Sequence, residues 1–428
     1  MRVRCTGRRS GLAAAGATLA VLVGAAAQTA AAAPPATLYV NNGTVSGDSG
    51  RSCSTAVYST IGAAVSAATP GSRIVVCPGT YDEGVLITKR LTLIGMRAVI
   101  DAASSPFGNG VQIAGTDASG STVEGFTIEN AQFEGILVGT APVAPATADG
   151  TPATGGEPVS GVTIAANTVM HNDGGFGGTA GQCFSTPNAP GDCGEAIHLV
   201  SVTGSLVARN DVEHNAGGIL MTDEFGPTSG NRVAGNRLIA NTDDCGITLA
   251  GHAPAVDPAT GMPTGAAGVF DNIVEHNLAI GNGVAGQGAG ILLGGGAPYA
   301  GVYDNLIADN TAIGNGLAGI TIHQHLVGDL NGNAIVGNTL SNDNLDGDFD
   351  FAAAADADTT GVLIASGSPP GPALPPFLLP GPIKGTLVRD NTFTDVHVGI
   401  WTLGLDPGAN VIAANHFGGG VVVPLSSR

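Results

Sequence analysis

The stretch Asn236–His252, NRLIANTDDCGITLAGH, contains both phrases from which most of the chain is built. Its first six residues set two asparagines around a short apolar run. Close variants return at Asn167–Asn172, Asn210–Asn215, Asn272–Asn277, Asn305–Asn310 and Asn333–Asn338. Its second part, CGITLAG, is a small residue, then Gly-Ile, then an alternating run. That phrase returns as EGILVG, GGILMTD, AGILLGG, AGITIHQH, TGVLIASG and VGIWTLG. Short β-type runs punctuated by Asn and Gly, at intervals of roughly two to four dozen residues, predict stacked coils and not a packed sandwich.

The expected fold is therefore all-β, a parallel β-helix solenoid. Alternate residues of each strand point inward, and Ile, Leu and Val stack in columns from coil to coil. Asn and Gly are expected at the turns, where they tolerate left-handed backbone at low cost. Coils cannot bury their apolar face alone, so the first needs a cover. Ser59 is the expected N-cap of a short helix with Ile61, Ala64, Val65 and Ala68 on one face, ended by Pro70-Gly71. The first coils then hold RIVVC, GVLIT and LTLIG.

Residues 1–33 read as a secretory signal peptide: Arg2, Arg4, Arg8 and Arg9 precede an Ala/Leu/Val run too short to span a membrane, and small residues follow. Residues 34–96 read as cap and first coils, and 97–428 as the β-helix. Pro/Ala/Gly-rich insertions near 141–158, 252–264 and 365–382 are expected to leave one edge as loops. Of 15 Lys and Arg, four lie in the signal, whereas all 34 acids lie beyond it, so the remainder carries a formal charge near −23. Such a surface argues against nucleic acid or anionic lipid as partner. Neither Arg97–Arg209 nor Arg237–Lys384 contains an internal Lys or Arg, so chemistry there falls to carboxylates, imidazoles, hydroxyls or a metal. Cys53–Cys77 and Cys183–Cys193 are the natural disulfide pairs in an oxidising compartment, leaving Cys245 as a buried thiol.

The segment YSTIGAAVSAATPGSRIVVCPGTYDEGVLITKRLTLIGM, Tyr58–Met96, resembles the opening of pectin-lyase-like right-handed parallel β-helix proteins, with PGTY standing before the first coils. Pectin methylesterases, polysaccharide lyases, polygalacturonases and carbohydrate-binding β-helix repeat proteins share that architecture. The coil phrases extend the resemblance over most of Tyr39–Phe417. It implies a right-handed winding and a carbohydrate ligand, on a fold that hosts several chemistries.

Aligning Ile197, Ile219, Ile247, Ile291, Ile320, Val362 and Ile400 as inward residues predicts an outward strip through His198, Leu220, Thr248, Leu292, Thr321, Leu363 and Trp401. Val200, Thr222, Ala250, Gly294, His323, Ala365 and Leu403 fall beside it. Acids gather at the strand ends: Asp192 and Glu195 before Ile197, Asp223 and Glu224 after Ile219, Asp243 and Asp244 before Ile247, and Asp356 and Asp358 before Val362, with His252 and His325 in equivalent positions after their coils. Carboxylates at one margin and imidazoles at the other suit general acid–base work on a glycan.

NTDDCGITLAGH also partly resembles a polygalacturonase-type constellation. That resemblance makes Asp243, Asp244 and His252 catalytic candidates, although the Arg-x-Lys element is missing. The competing reading has Asp243 capping the turn and Asp244 solvated. In TIHQH, His323 and His325 share a strand face and Asp329 follows, a set suited to catalysis, sugar binding or a metal. DNLDGDFD places Asp346, Asp348 and Asp350 with the alternation of a calcium loop, but Phe351 and Ala357 stand where an EF-hand needs Gly and Glu. Trp401, the only tryptophan, is either a sugar-stacking platform or core of the last coils.

The expected function is an exported carbohydrate-active enzyme acting on a polysaccharide or cell-wall glycan, with hydrolysis favoured over β-elimination because the central coils lack bases. Glu195, His198, Asp223, Glu224, Thr248, Thr321 and Trp401 are the expected substrate-binding residues. No cofactor is required, and calcium is the candidate ion. The alternative is a non-catalytic glycan-binding or cell-surface structural β-helix.

Overall fold

One coil begins with the strand Glu195–Val200, continues through Val202–Thr203, Leu206–Ala208 and Asp211–Glu213, and gives way to Gly217–Thr222, which starts the next. Each first strand pairs in parallel with its counterparts on neighbouring coils to form an 11-stranded sheet. The second joins a six-stranded sheet, and the last two join a 21-stranded sheet. The protein is thus a parallel β-helix. The computed structural model describes residues 35–43, 49–139, 159–175, 194–253, 268–286, 288–351 and 357–427. The segment read as a signal peptide, the Cys183–Cys193 pair, the insertion at 141–158 and most of that at 252–264 lie outside the described residues.

The inward column falls in the expected register: Ile197, Ile219, Ile247, Ile291, Ile320, Val362 and Ile400 pair in succession, and none is more than 1% exposed. The Gly before Ile has a steric cause. A Cβ on Gly218 would lie 2.0 Å from the Gly246 carbonyl oxygen, and one on Gly246 would lie 2.7 Å from that of Gly290. Consecutive coils approach too closely there for a side chain.

The asparagines do a different job from the one expected of them. The left-handed residue at each bend is the one before: Ala166, His171, Arg209, His214, Ala240, Asp271 and His276 all have φ between 53° and 56°. The asparagine that follows is buried and builds a ladder. Asn236 Oδ1 accepts from the Asn210 backbone N at 2.9 Å and from Asn210 Nδ2 at 3.0 Å, while its own Nδ2 donates to Asn277 Oδ1 and to the Val207 carbonyl. Both amide protons and both lone pairs are used, which is why no other side chain serves as well in a position without water.

The helix spans Ile61–Ala67, with Ile61, Ala64 and Val65 in the same apolar core as Val85 and Ile87 of the early coils. Its N-cap is Thr60, not Ser59. Thr60 has extended backbone, and its hydroxyl accepts from Ala63 N at 3.3 Å. The Glu83 carboxylate accepts from the next two free amides, Ile61 N and Gly62 N, at 2.6 and 2.9 Å. The Cys53–Cys77 disulfide is formed. Among the described residues, no helix is long and apolar enough to cross a membrane.

The insertion read from Ala365 begins later. Ala365 lies in the strand Thr360–Ser366, fully buried and paired with His323 and Leu403. In chain order, residues 140–158, 176–193, 254–267, 342–359 and 367–382 each follow or precede a strand of the 11-stranded sheet. The long departures from the coil rhythm therefore adjoin strands of this one sheet in chain order.

Candidate active site

Ala196 and Ile197 both enter the core, so the pleat is interrupted and their flanking residues, Glu195 and His198, share the outer face of the 11-stranded sheet. The Glu195 carboxylate lies over Gly217 on the next coil, where a Cβ would stand 2.2 and 2.3 Å from its oxygens. Only glycine leaves it that seat. Glu134 occupies the equivalent place one coil earlier, since Ile136 pairs with Ile197. Glu134 Oε2 accepts from the Glu195 backbone N at 3.0 Å, and its Oε1 lies 3.5 Å from His198 Nδ1. The other nitrogen of that ring, Nε2, is 2.9 Å from Thr222 Oγ1 on the following coil.

Asp244 arrives from one coil further. Its carboxyl is hydrogen-bonded with that of Glu195, and its Oδ1 accepts from Cys245 N at 2.6 Å. Burial pushes Asp244 above the usual carboxylate range, against its bonds to Cys245 and Glu195. Burial likewise raises Glu134, against the favourable nearness of His198, with Glu224 adding to the rise. On the same side, Asp223 Oδ1 accepts from the His252 backbone N at 2.7 Å and lies 3.4 Å from Nδ1 of that ring, whose Nε2 is 3.5 Å from Glu224 Oε1. Asp223 too is raised by burial, although His252 opposes it.

Four successive coils thus gather Glu134, Glu195, His198, Asp223, Glu224, Asp244 and His252 along the 11-stranded sheet. Glu134, Glu195 and His198 are at most 2% exposed, while Asp243 and His252 are half-buried, so the set meets solvent along those two. Asp243 N and Asp244 N both donate to the Ala216 carbonyl, which shapes the turn that presents them. A carboxyl raised by burial is suited to donate a proton, and the His252, Asp223 and Glu224 group stands at the other end of the same strands. Sequence reading passed over Glu134. Its signal was the glutamate two residues before Ile136 in EGILVG, matching Glu195 before Ile197.

His323 and His325 are not part of this gathering. Four strand steps separate the His198 strand from that of His323 and two separate the latter from the strand after Asp244, about 19 and 10 Å at 4.8 Å per step. Their surroundings are their own. His323 Nε2 is 2.6 Å from Asp348 Oδ2, and His323 Nδ1 is 3.8 Å from Asp350 Oδ2. Asp329, the acid expected beside them, is exposed and accepts from Asn331 instead. Of the acidic loop, Asp348 and Asp350 face the imidazoles, whereas the Asp346 backbone N donates to Gly316 O.

The outward strip keeps its expected register but is largely covered. Trp401 is 2% exposed and packs with Leu363, Val398, Ala365 and Phe351, so it is core of the last coils and not a sugar platform. Thr248 is buried and hydrogen-bonded to the Cys245 thiol, which burial pushes well above the ordinary thiol range. Thr321 is fully buried on the His323 strand. Cys245 is free and buried, as expected. The strands of the 11-stranded sheet carry no Lys or Arg. Arg232 and Arg237 lie on the 21-stranded sheet, paired with Glu275 and with Asp211 and Glu213.

No protein-family model matches the sequence, and no curated protein sequence matches it. Solved structures do. The A-module of the mannuronan C-5 epimerase AlgE6 from Azotobacter vinelandii superposes with a TM-score of 0.50 at 15% identity, over 86% of this chain and 94% of that one. The AlgE4 A-module from the same organism gives 0.49 at 14%, over 84% and 91%. Pectate lyase Pel9A gives 0.44 at 16%, over 90% and 80%. At these identities the likeness is one of architecture alone, a parallel β-helix.

Proposed function

We propose that this chain is an exported carbohydrate-active enzyme that cleaves a polysaccharide at the outer face of the 11-stranded sheet. The observation that carries the reading is the hydrogen-bonded carboxyl pair Glu195–Asp244, with Asp244 raised by burial, on the sheet whose coils carry Asp223, Glu224 and His252 at the other strand end. Asp244, raised by burial and next to the half-buried Asp243, is the proton donor to the leaving oxygen. Asp243, its half-buried neighbour, is the base or nucleophile. Glu195 holds the Asp244 carboxyl, and His252, between Asp223 and Glu224, binds substrate hydroxyls. Hydrolysis is preferred over β-elimination because the sheet offers carboxyls and imidazoles but no Lys or Arg. The epimerase and lyase names of the structural neighbours support the fold alone at their low identity. Export agrees with the Cys53–Cys77 disulfide. A right-handed winding agrees with the crossover rule for parallel strands.

One observation favours a second reading, a non-catalytic glycan-binding or structural β-helix: Glu134, Glu195 and His198 are nearly inaccessible and bonded to one another or to Thr222. The test separates the two. Neutral and acidic polysaccharides are incubated with the protein, with calcium and with chelator, and scored for reducing ends and for unsaturated products. Reducing ends without unsaturation, lost in Asp244→Asn and Asp243→Asn, support the hydrolase. Unsaturated products replace it with a lyase, and binding without any product supports the scaffold.

A further inference from the structure

We infer that His323, His325 and Asp350 form a binding site for a divalent transition-metal ion of the zinc class, separate from the carboxyl-rich set. Among the described residues, this is the one group of three or more His, Cys, Asp or Glu whose ligand atoms all lie within 4.8 Å of one another. It arises because His323 and His325 are two apart on and just beyond the strand Ile320–Gln324 and so project to one side, while the loop before Thr360 returns Asp350 across them.

The hydrogen bonds around the group orient it toward an ion. Asp348 Oδ2 takes His323 Nε2 at 2.6 Å, so Nδ1 is the nitrogen left to face Asp350 Oδ2, 3.8 Å away. A cation bound there would be shared by a ring nitrogen and a carboxylate oxygen already turned toward each other. A carboxylate behind a histidine ligand is the arrangement that fixes tautomer and ring in metal sites. Asp348 serves a second time, with Oδ1 accepting from Asp350 N at 3.1 Å, so the residue that orients His323 also holds the backbone carrying the acid ligand.

His325 supplies the third ligand and an independent argument. Its Nδ1 is buried and has no hydrogen-bond partner, a costly state for an imidazole nitrogen. Phe351 stacks on the His325 ring at 4.7 Å and meets the His323 ring edge-on at 5.1 Å, so both imidazoles are held by packing. Tetrahedral ligands at 2.0–2.1 Å from zinc stand about 3.3 Å apart. The three ligand atoms lie within 4.8 Å of one another, and the Asp350 side chain, 47% exposed, can turn toward the imidazoles. Two imidazoles and one carboxylate leave a fourth position for water or a ligand group, and nitrogen donors select zinc-class ions over calcium. The acidic loop thus contributes Asp348 and Asp350 to an imidazole site, and Asp346 is no part of it.

Zinc uptake by the chelator-treated, dialysed chain is the test, read by calorimetric titration and by metal content after gel filtration. One tightly held Zn²⁺ per chain is expected in the wild type and in Asp346→Asn. His325→Ala and Asp350→Asn should lose it, and Asp348→Asn should bind about 10–100-fold more weakly. Circular dichroism and Tm on each apo variant separate lost ligands from lost fold. The inference is overturned if the wild type retains no zinc, if folded His325→Ala and Asp350→Asn retain it unchanged, or if calcium binds in its place and Asp346→Asn abolishes that binding.

Discussion

Asp343 ends the ladder that begins at Asn172, standing where each earlier coil carries asparagine: its Oδ1 accepts from Asn315 N at 3.0 Å and from Asn315 Nδ2 at 2.7 Å, as Asn315 Oδ1 does for Asn282. Burial lifts its carboxyl to about 7, against the hydrogen bonds from Asn315. The folded state therefore holds a proton that the unfolded chain has released. Between the ordinary carboxylate pKa and about 7, stability falls as pH rises, and it levels off above. Asp343→Asn, which continues the ladder with a neutral amide, should raise Tm at pH 8 and leave it nearly unchanged at pH 4. The gain should be on the order of a few kcal/mol. Equal Tm shifts at both pH values would show that the carboxyl is not held protonated.

Gly217→Ala tests the seat of Glu195 without touching any acid. The new Cβ would stand 2.2 Å from Glu195 Oε2, so the carboxylate must leave Asp244. If Glu195 positions the proton donor, hydrolysis should fall about 100-fold, the scale of an ångström-sized misplacement. The Tm loss should be that of an overpacked contact, about 1–3 kcal/mol. Unchanged turnover in a folded variant would remove Glu195 from the machinery.

Trp401 reports on the last coils alone. As the only tryptophan, 2% exposed among Leu363, Val398 and Phe351, it should emit at short wavelength and resist iodide quenching. Saturating polysaccharide should leave that emission unchanged, whereas a stacking platform would respond. Trp401→Ala should cost about 3–5 kcal/mol in denaturant unfolding.

The coil phrases made the inward column and its register legible, because a period-2 strand with Ile at one phase allows one alignment. The acid-rich ends of those strands likewise pointed to Glu195, Asp223, Glu224, Asp244 and His252. Three things were hidden. The role of the asparagines depends on partners 24 to 53 residues away, so local turn propensity assigned them to the bend that Ala166, His171 and their equivalents make. Glu134 looked like one more strand-opening residue until its coil was stacked on that of Glu195. The partner of the TIHQH histidines is Asp350 and not Asp329, because a loop return across the sheet leaves no periodic trace.

The ladder Asn167–Asn210–Asn236–Asn277–Asn310–Asn338–Asn391–Asn415 joins partners separated by 43, 26, 41, 33, 28, 53 and 24 residues through the same pair of hydrogen bonds each time. Along the chain the rungs are unevenly spaced, yet in space each is one strand step from the next. Length added between rungs is thus mechanically silent to the rest of the rod. The connections between strands of the 11-stranded sheet can be lengthened, shortened or exchanged while the carboxyls and imidazoles keep their addresses, so evolution can rewrite them without renegotiating the fold.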